Sequence, residues 1–221
     1  VLTLTASGAF ALIAFAYCLL LAIKLLAHSG GDRIANALLA TVCFALAAWP
    51  WGSFSRASDL YLRFPHLLFA TTPLFFLLGP ALLAYTNRIT SGTDPRTRTA
   101  WLHLTPMVLF ILVALPFYQL NAAEKTTIAS GAANSFGMRA LTPFIAPHVM
   151  LYSVLCLRSI RRFEAKARHH FSDVERSSLR WLKGLCIGLM ALMVLDVILS
   201  RLFVAMEWNH NDINFDVIMR T

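Results

Sequence analysis

The sequence predicts an all-α polytopic bundle of transmembrane helices, with six full spans and a truncated seventh. Three observations predict it. Six apolar stretches with few charges occupy residues 2–23, 34–51, 65–85, 100–118, 141–157 and 182–206, and a helix of about 18 or more such residues can cross a hydrocarbon core of roughly 30 Å. The chain is 58% hydrophobic and 14% charged, with mean hydropathy +0.65, where a soluble domain carries about 25% charged residues. None of the stretches alternates with the two-residue period of a membrane β-strand. Inside lipid every backbone polar group needs a partner within its own segment, which leaves the helix.

The first stretch is too long for the apolar core of a signal peptide and no basic residue precedes it, so it is expected to remain as a span. His28 to Asp32 then form a tight turn between an antiparallel pair. The second connection, residues 52–64, follows Trp51 and contains Phe54 and Tyr61; aromatic residues of this kind favour the membrane–water boundary. The third stretch contains Pro73, Gly79 and Pro80. Proline inside a helix leaves a backbone carbonyl without its donor and permits a kink, and Pro80 is therefore a candidate for lining a ligand cavity. The third connection, 87–99, is polar and carries the turn signal Asp94-Pro95. The fourth, 119–140, is rich in Ala, Ser, Gly and Asn and is expected to be the least constrained.

The fifth connection, residues 158–181, is the most informative polar segment and is expected to be a cytoplasmic basic helical hairpin. The preceding helix should extend at least through Arg162. Ser172 and Glu175 have capping-box spacing, which predicts a new helix starting at Ser172 and running into the sixth stretch. Ser172, Glu175, Arg176, Arg180 and Trp181 are the candidate residues for coupling motion to a cytoplasmic partner. Attraction of the basic residues to anionic lipid is the plainer role, at roughly 1 kcal/mol for each near the surface.

The net charge of +8 raises nucleic acid as a partner. Its distribution points to orientation instead. Thirteen of the 19 Lys and Arg lie on the odd connections and their flanks, and basic residues accumulate on the cytoplasmic side. The N-terminus is then outside, and the expected location is a bacterial inner membrane. Cys18, Cys43, Cys156 and Cys186 all fall in apolar stretches without metal-ligand spacing, so packing is their expected role. No metal, cofactor or hydrolytic motif is expected.

Asp196, midway along the sixth stretch, is the strongest candidate for chemistry. A carboxylate at the bilayer centre costs at least about 2.5–3.5 kcal/mol and favours the bundle interior. It is expected to fix packing by a hydrogen bond, or to contact a ligand or sense a proton. His66 and His148, near the outer end, and His103, near the inner end, are the histidine candidates; a local hydrogen bond is the plainer role for each.

Three segments carry a resemblance. His66-Leu-Leu-Phe-Ala-Thr-Thr-Pro73 with its continuation Gly79-Pro80-Ala-Leu-Leu-Ala-Tyr85 resembles the third helix of the membrane module that precedes AraC-type helix-turn-helix domains. His103-Leu-Thr-Pro106 and Phe171-Ser-Asp-Val-Glu-Arg-Ser-Ser-Leu-Arg-Trp-Leu182 are similar to other parts of that module. The resemblance implies one membrane-embedded, sensor-like domain over residues 1–221. It would receive an outer-side or intramembrane signal for a transcriptional regulator whose DNA-binding domain is absent from this chain. The implied partners are the bilayer, an unidentified small-molecule or envelope signal, a homodimeric second copy as one option, and DNA only through that absent domain. The alternative from the residues alone is a small secondary transporter with Asp196 as coupling carboxylate.

Overall fold

The computed structural model describes residues 5–92, 101–129, 142–167 and 179–212. Among these residues the fold is all-α, without strands. Helix α1 (Ala6–Ala27) begins where the Thr5 hydroxyl accepts the Gly8 amide at 3.2 Å. Its outer face leaves Phe10, Ile13, Tyr17, Leu20 and Leu26 exposed, as suits a helix meeting hydrocarbon. Gly31, at φ +73°, closes the turn to α2 (Arg33–Leu46). Asp32 caps α2 by accepting the Ile34 and Ala35 amides at 2.9 and 3.3 Å. The same carboxylate pairs with Arg88 at 2.5 Å. The Arg88 guanidinium therefore holds the Asp32 carboxyl below the usual carboxylate range, with the two capping amides acting in the same direction.

Helix α2 loosens at Ala47 and resumes as α3 (Ala48–Ala57). Pro50 explains the break, because its ring crowds the carbonyl four residues earlier, that of Leu46. The helix thus continues six residues beyond the expected limit at Trp51, into what was expected to be a surface loop. The rest of that connection holds α4 (Leu60–Arg63) and a 3-10 turn (Pro65–Leu67). The third apolar stretch becomes helical only at α5 (Pro73–Ser91), where Pro73 occupies a first-turn position that needs no amide hydrogen. Phe69, in the intervening turn, adopts φ +58°, an outlying conformation for a bulky residue. Two contacts hold it there: its carbonyl accepts the Tyr118 hydroxyl at 3.1 Å, and its ring lies edge-on to Phe117 at 5.3 Å.

Helix α5 lies at the centre, between α2 and α8 (Ile145–Ala167), and α9 (Arg180–Asp212) packs along α8. Leu78, Leu82, Val149, Cys156, Ile160, Leu182 and Met193 fill the core these helices share. Cys156 and Cys186 are both fully buried inside it. Helix α6 (Thr105–Tyr118) packs on the other side of α5, where Phe76 meets Phe110 at 5.1 Å. Helix α7 (Ala122–Ala129) then turns away from α6 by 110°.

Four helical segments are long and apolar enough to cross a membrane: Ala6–Ala27, Arg33–Ala57, Thr142–Lys166 and Arg180–Leu199. A fifth is added if α6 and α7 count as one bent span. Six full spans are therefore not matched on length and composition. Helix α5 falls short because its last two turns carry Asn87, Arg88 and Thr90, and α6 because it has 14 residues. A helix enclosed by its neighbours needs less apolar surface than one that meets lipid. The expectation that α8 reaches Arg162 is met and exceeded, since it runs to Ala167.

Candidate functional site

One set of polar contacts inside the bundle gathers around Pro80 in α5. Pro80 has no amide hydrogen to give to the carbonyl of Phe76, four residues earlier. His148 on α8 supplies one, with Nε2 3.1 Å from the Phe76 oxygen. A carbonyl only accepts, so His148 carries its proton on Nε2 in this contact. Its ring also rests on Phe76 and Tyr152, with centroids 5.2 and 4.8 Å apart.

Tyr152 lies one turn along α8 and is buried. Its hydroxyl meets His103 Nδ1 at 2.9 Å, and the two rings cross edge to face. Gly79 makes this approach possible. A Cβ there would lie 2.7 Å from Tyr152 Cγ and Cδ2 and 2.8 Å from its Cβ, inside any tolerated contact. A connected series therefore runs from the freed carbonyl on α5, through His148 and Tyr152 on α8, to His103 at the entry to α6. It joins three helices by directional contacts that an apolar core lacks.

A second polar centre sits at the opposite end of the bundle from the Asp32–Arg88 pair. Lys125 on α7 is buried, with 2% exposure. Its ammonium donates to the Tyr118 carbonyl at 2.9 Å, meets His66 Nδ1 at 3.1 Å, and lies 5.6 Å from the Phe117 ring centroid. No carboxylate pairs with it among the described residues. Helix α7 is fixed by a reciprocal cap: the Glu124 amide donates to Asn121 Oδ1 at 2.9 Å, and the Asn121 amide to Glu124 Oε2 at 3.0 Å. This part of the fourth connection, expected to be the least constrained, is instead a capped helix with a buried cation.

The sequence candidates thus separate. Pro80 and His148 come together, with His103 joined through Tyr152. His66 is exposed and belongs to the Lys125 centre. Asp196 is exposed, against the expectation of an interior position. Every residue from Val194 to Leu199 is exposed on α9, so beyond Met193 the described bundle offers no interior for Asp196 to face. Arg180 and Trp181 are exposed at the start of α9, where the Trp181 ring lies 6.0 Å from Tyr85. Ser172, Glu175 and Arg176 lie outside the described residues. Tyr152 and Lys125 were not anticipated. The spacing of Asn121 and Glu124 could have revealed α7, but nothing local marks Tyr152.

No family model, curated protein or solved structure matches the chain.

Proposed function

We propose that the chain is the signal-reception module of a bacterial AraC-like transcriptional regulator. In this reading six helices cross the inner membrane, a seventh follows, and the N-terminus is outside. The basic end, with the Asp32–Arg88 and Glu164–Lys183 pairs, faces the cytoplasm in accord with the excess of Lys and Arg there. The signal is a small molecule or envelope component acting from the outer side. The output is DNA binding by a cytoplasmic domain beyond this chain.

The observation that carries the proposal is the contact of His148 with the carbonyl freed by Pro80. A proline-interrupted helix can settle in two arrangements, with its open carbonyl paired to a neighbouring helix or released. A ligand that favours one of them shifts the population by its difference in affinity for the two. The series through Tyr152 to His103 supports transmission toward the basic end.

The test begins with the gene beyond the codon for Thr221. A continuation that encodes one more apolar helix and a helix-turn-helix supports the proposal, and a stop codon there rejects it. With such a continuation in place, a promoter reporter in a bacterial host should respond to an envelope extract, and His148→Phe should abolish the response while leaving membrane insertion intact. A reporter indifferent to His148→Phe removes this site from the pathway.

A further inference from the structure

At the basic end, between the last turns of α5 and α8, lies a cavity of about 790 Å³. Arg158, Arg162 and Lys166 line it from α8. Their spacing of four residues places all three on one helix face. Like charges at this spacing repel and destabilise a helix, and among the described residues no Asp or Glu lines the cavity to offset them. Two described carboxylates of this end are engaged elsewhere: Glu164 pairs with Lys183 at 2.5 Å and Asp32 with Arg88. The three cations have no ion pair among the described residues.

The facing wall supplies neutral donors. The Ser159 hydroxyl donates to Asn87 Oδ1 at 2.9 Å. That bond turns the Asn87 amide so that its two N–H groups remain to be given. His103 also lines the cavity, with Nδ1 taken by Tyr152 and Nε2 left over. Leu155 and Phe163 add an apolar wall.

We propose that this cavity binds a phosphate ester, with the phosphate held by Arg158, Arg162 and Lys166 and the ester carbons against Leu155 and Phe163. Guanidinium groups offer paired N–H donors that match phosphate oxygens. The volume lies within the range of small-molecule sites, about 300–1,000 Å³, and exceeds what inorganic phosphate fills. The glycerophosphate group satisfies both walls. It is available as the headgroup of an anionic phospholipid or as a soluble ester. The inference goes beyond signal reception and does not depend on it, since the site can be occupied whatever the chain transmits.

The experiment uses the full chain purified in an uncharged maltoside detergent. In one arm phosphatidylglycerol is titrated into the micelles, with phosphatidylcholine as baseline; in the other, glycerol phosphate is added to the buffer. Binding is read by native mass spectrometry and by the shift in thermal unfolding. The pocket variant is Arg158→Gln/Arg162→Gln. The control is Arg161→Gln/Arg180→Gln, which removes two exposed charges of the same end that do not line the cavity. Losing two charge-assisted contacts should weaken binding roughly tenfold or more in the pocket variant, with little change in the control. Saturation in the first arm assigns a lipid, and saturation in the second a soluble ester. Equal losses in the two variants, or no binding above the phosphatidylcholine baseline in either arm, overturn the proposal. If the pocket variant does not fold, the wild type is photolabelled with azidophenyl phosphate. Crosslinks at Leu155 or Phe163 support the site, and crosslinks confined to other residues reject it.

Discussion

His148 and Pro80 are partners across two helices: the imidazole of one donates to the carbonyl that the ring of the other leaves open. Neither residue touches the other for this to hold. The link is the Phe76 oxygen, which belongs to a residue only 5% exposed and thus has no ready access to solvent.

This relationship is testable by a double-mutant cycle. His148→Phe should cost about 1–3 kcal/mol, the penalty for stranding a buried acceptor. Pro80→Ala restores the helical N–H, and the His148 substitution should then cost markedly less. The cycle is measured by reversible unfolding of the purified protein in mixed detergent micelles. Additive effects of the two substitutions would separate the residues.

Gly79→Ala should destabilise the bundle by about 1–3 kcal/mol, as expected for overpacking. The methyl would press on the root of the Tyr152 side chain, at Cβ and Cγ, which cannot swing aside as a flexible tip could. Tyr152→Ala should be destabilising alone yet should tolerate Gly79→Ala with little added loss. Thermal unfolding of the four proteins provides the comparison, and a full additional penalty in the Tyr152→Ala background would count against the close contact.

Lys125→Met should loosen α7 by removing the donor to the Tyr118 carbonyl, at a cost of about 1–3 kcal/mol. Lys125→Gln retains a donor and should lose less. Amide exchange along 122–129 reports the effect, because α7 is short and Lys125 ties it to the end of α6. Unchanged protection in Lys125→Met would mean that the cap alone suffices.

Acid should loosen the turn between α1 and α2. The Asp32 carboxyl has a folded-state pKa below its unfolded value because of Arg88. Its contribution is therefore complete above the unfolded value, near pH 4, and is lost as pH falls through the lower folded value. Asp32→Asn keeps a capping side chain and discards the charge. Exchange of the Ile34 and Ala35 amides should rise below about pH 4 in the wild type, and should lose that step in the variant.

Much of this architecture is legible in the sequence, because apolar length is set by the bilayer and needs no tertiary knowledge. Each of the six apolar stretches holds a helix. The open carbonyl of α5 was readable from Pro80, and a local hydrogen bond was readable as the plainer role of His148. That the two needs answer each other was not, since they lie 72 residues apart and meet only through packing. Boundaries went astray where proline chemistry acts twice. Pro50 interrupts a helix without ending it, whereas Pro73 starts one eight residues later than hydropathy suggests. Asp196 shows the opposite limit. The cost of a carboxylate in lipid argues for an interior position, but the neighbours that could provide one are not specified by α9 itself.

The brevity of α6 bears on the membrane itself. Fourteen residues rise about 21 Å, and α7 then leaves at a steep angle instead of completing the distance. If α6 crosses the bilayer, as in the proposed topology, a hydrocarbon core of roughly 30 Å is thicker than α6 is long, so lipid around this side of the molecule would thin, or α7 would sink below the headgroups. Either adjustment costs a fraction of a kcal/mol per Å. On the proposed topology thin bilayers should relax the α6–α7 bend and thick ones strain it. Acyl-chain length is then a variable to which the corner between α6 and α7 should answer.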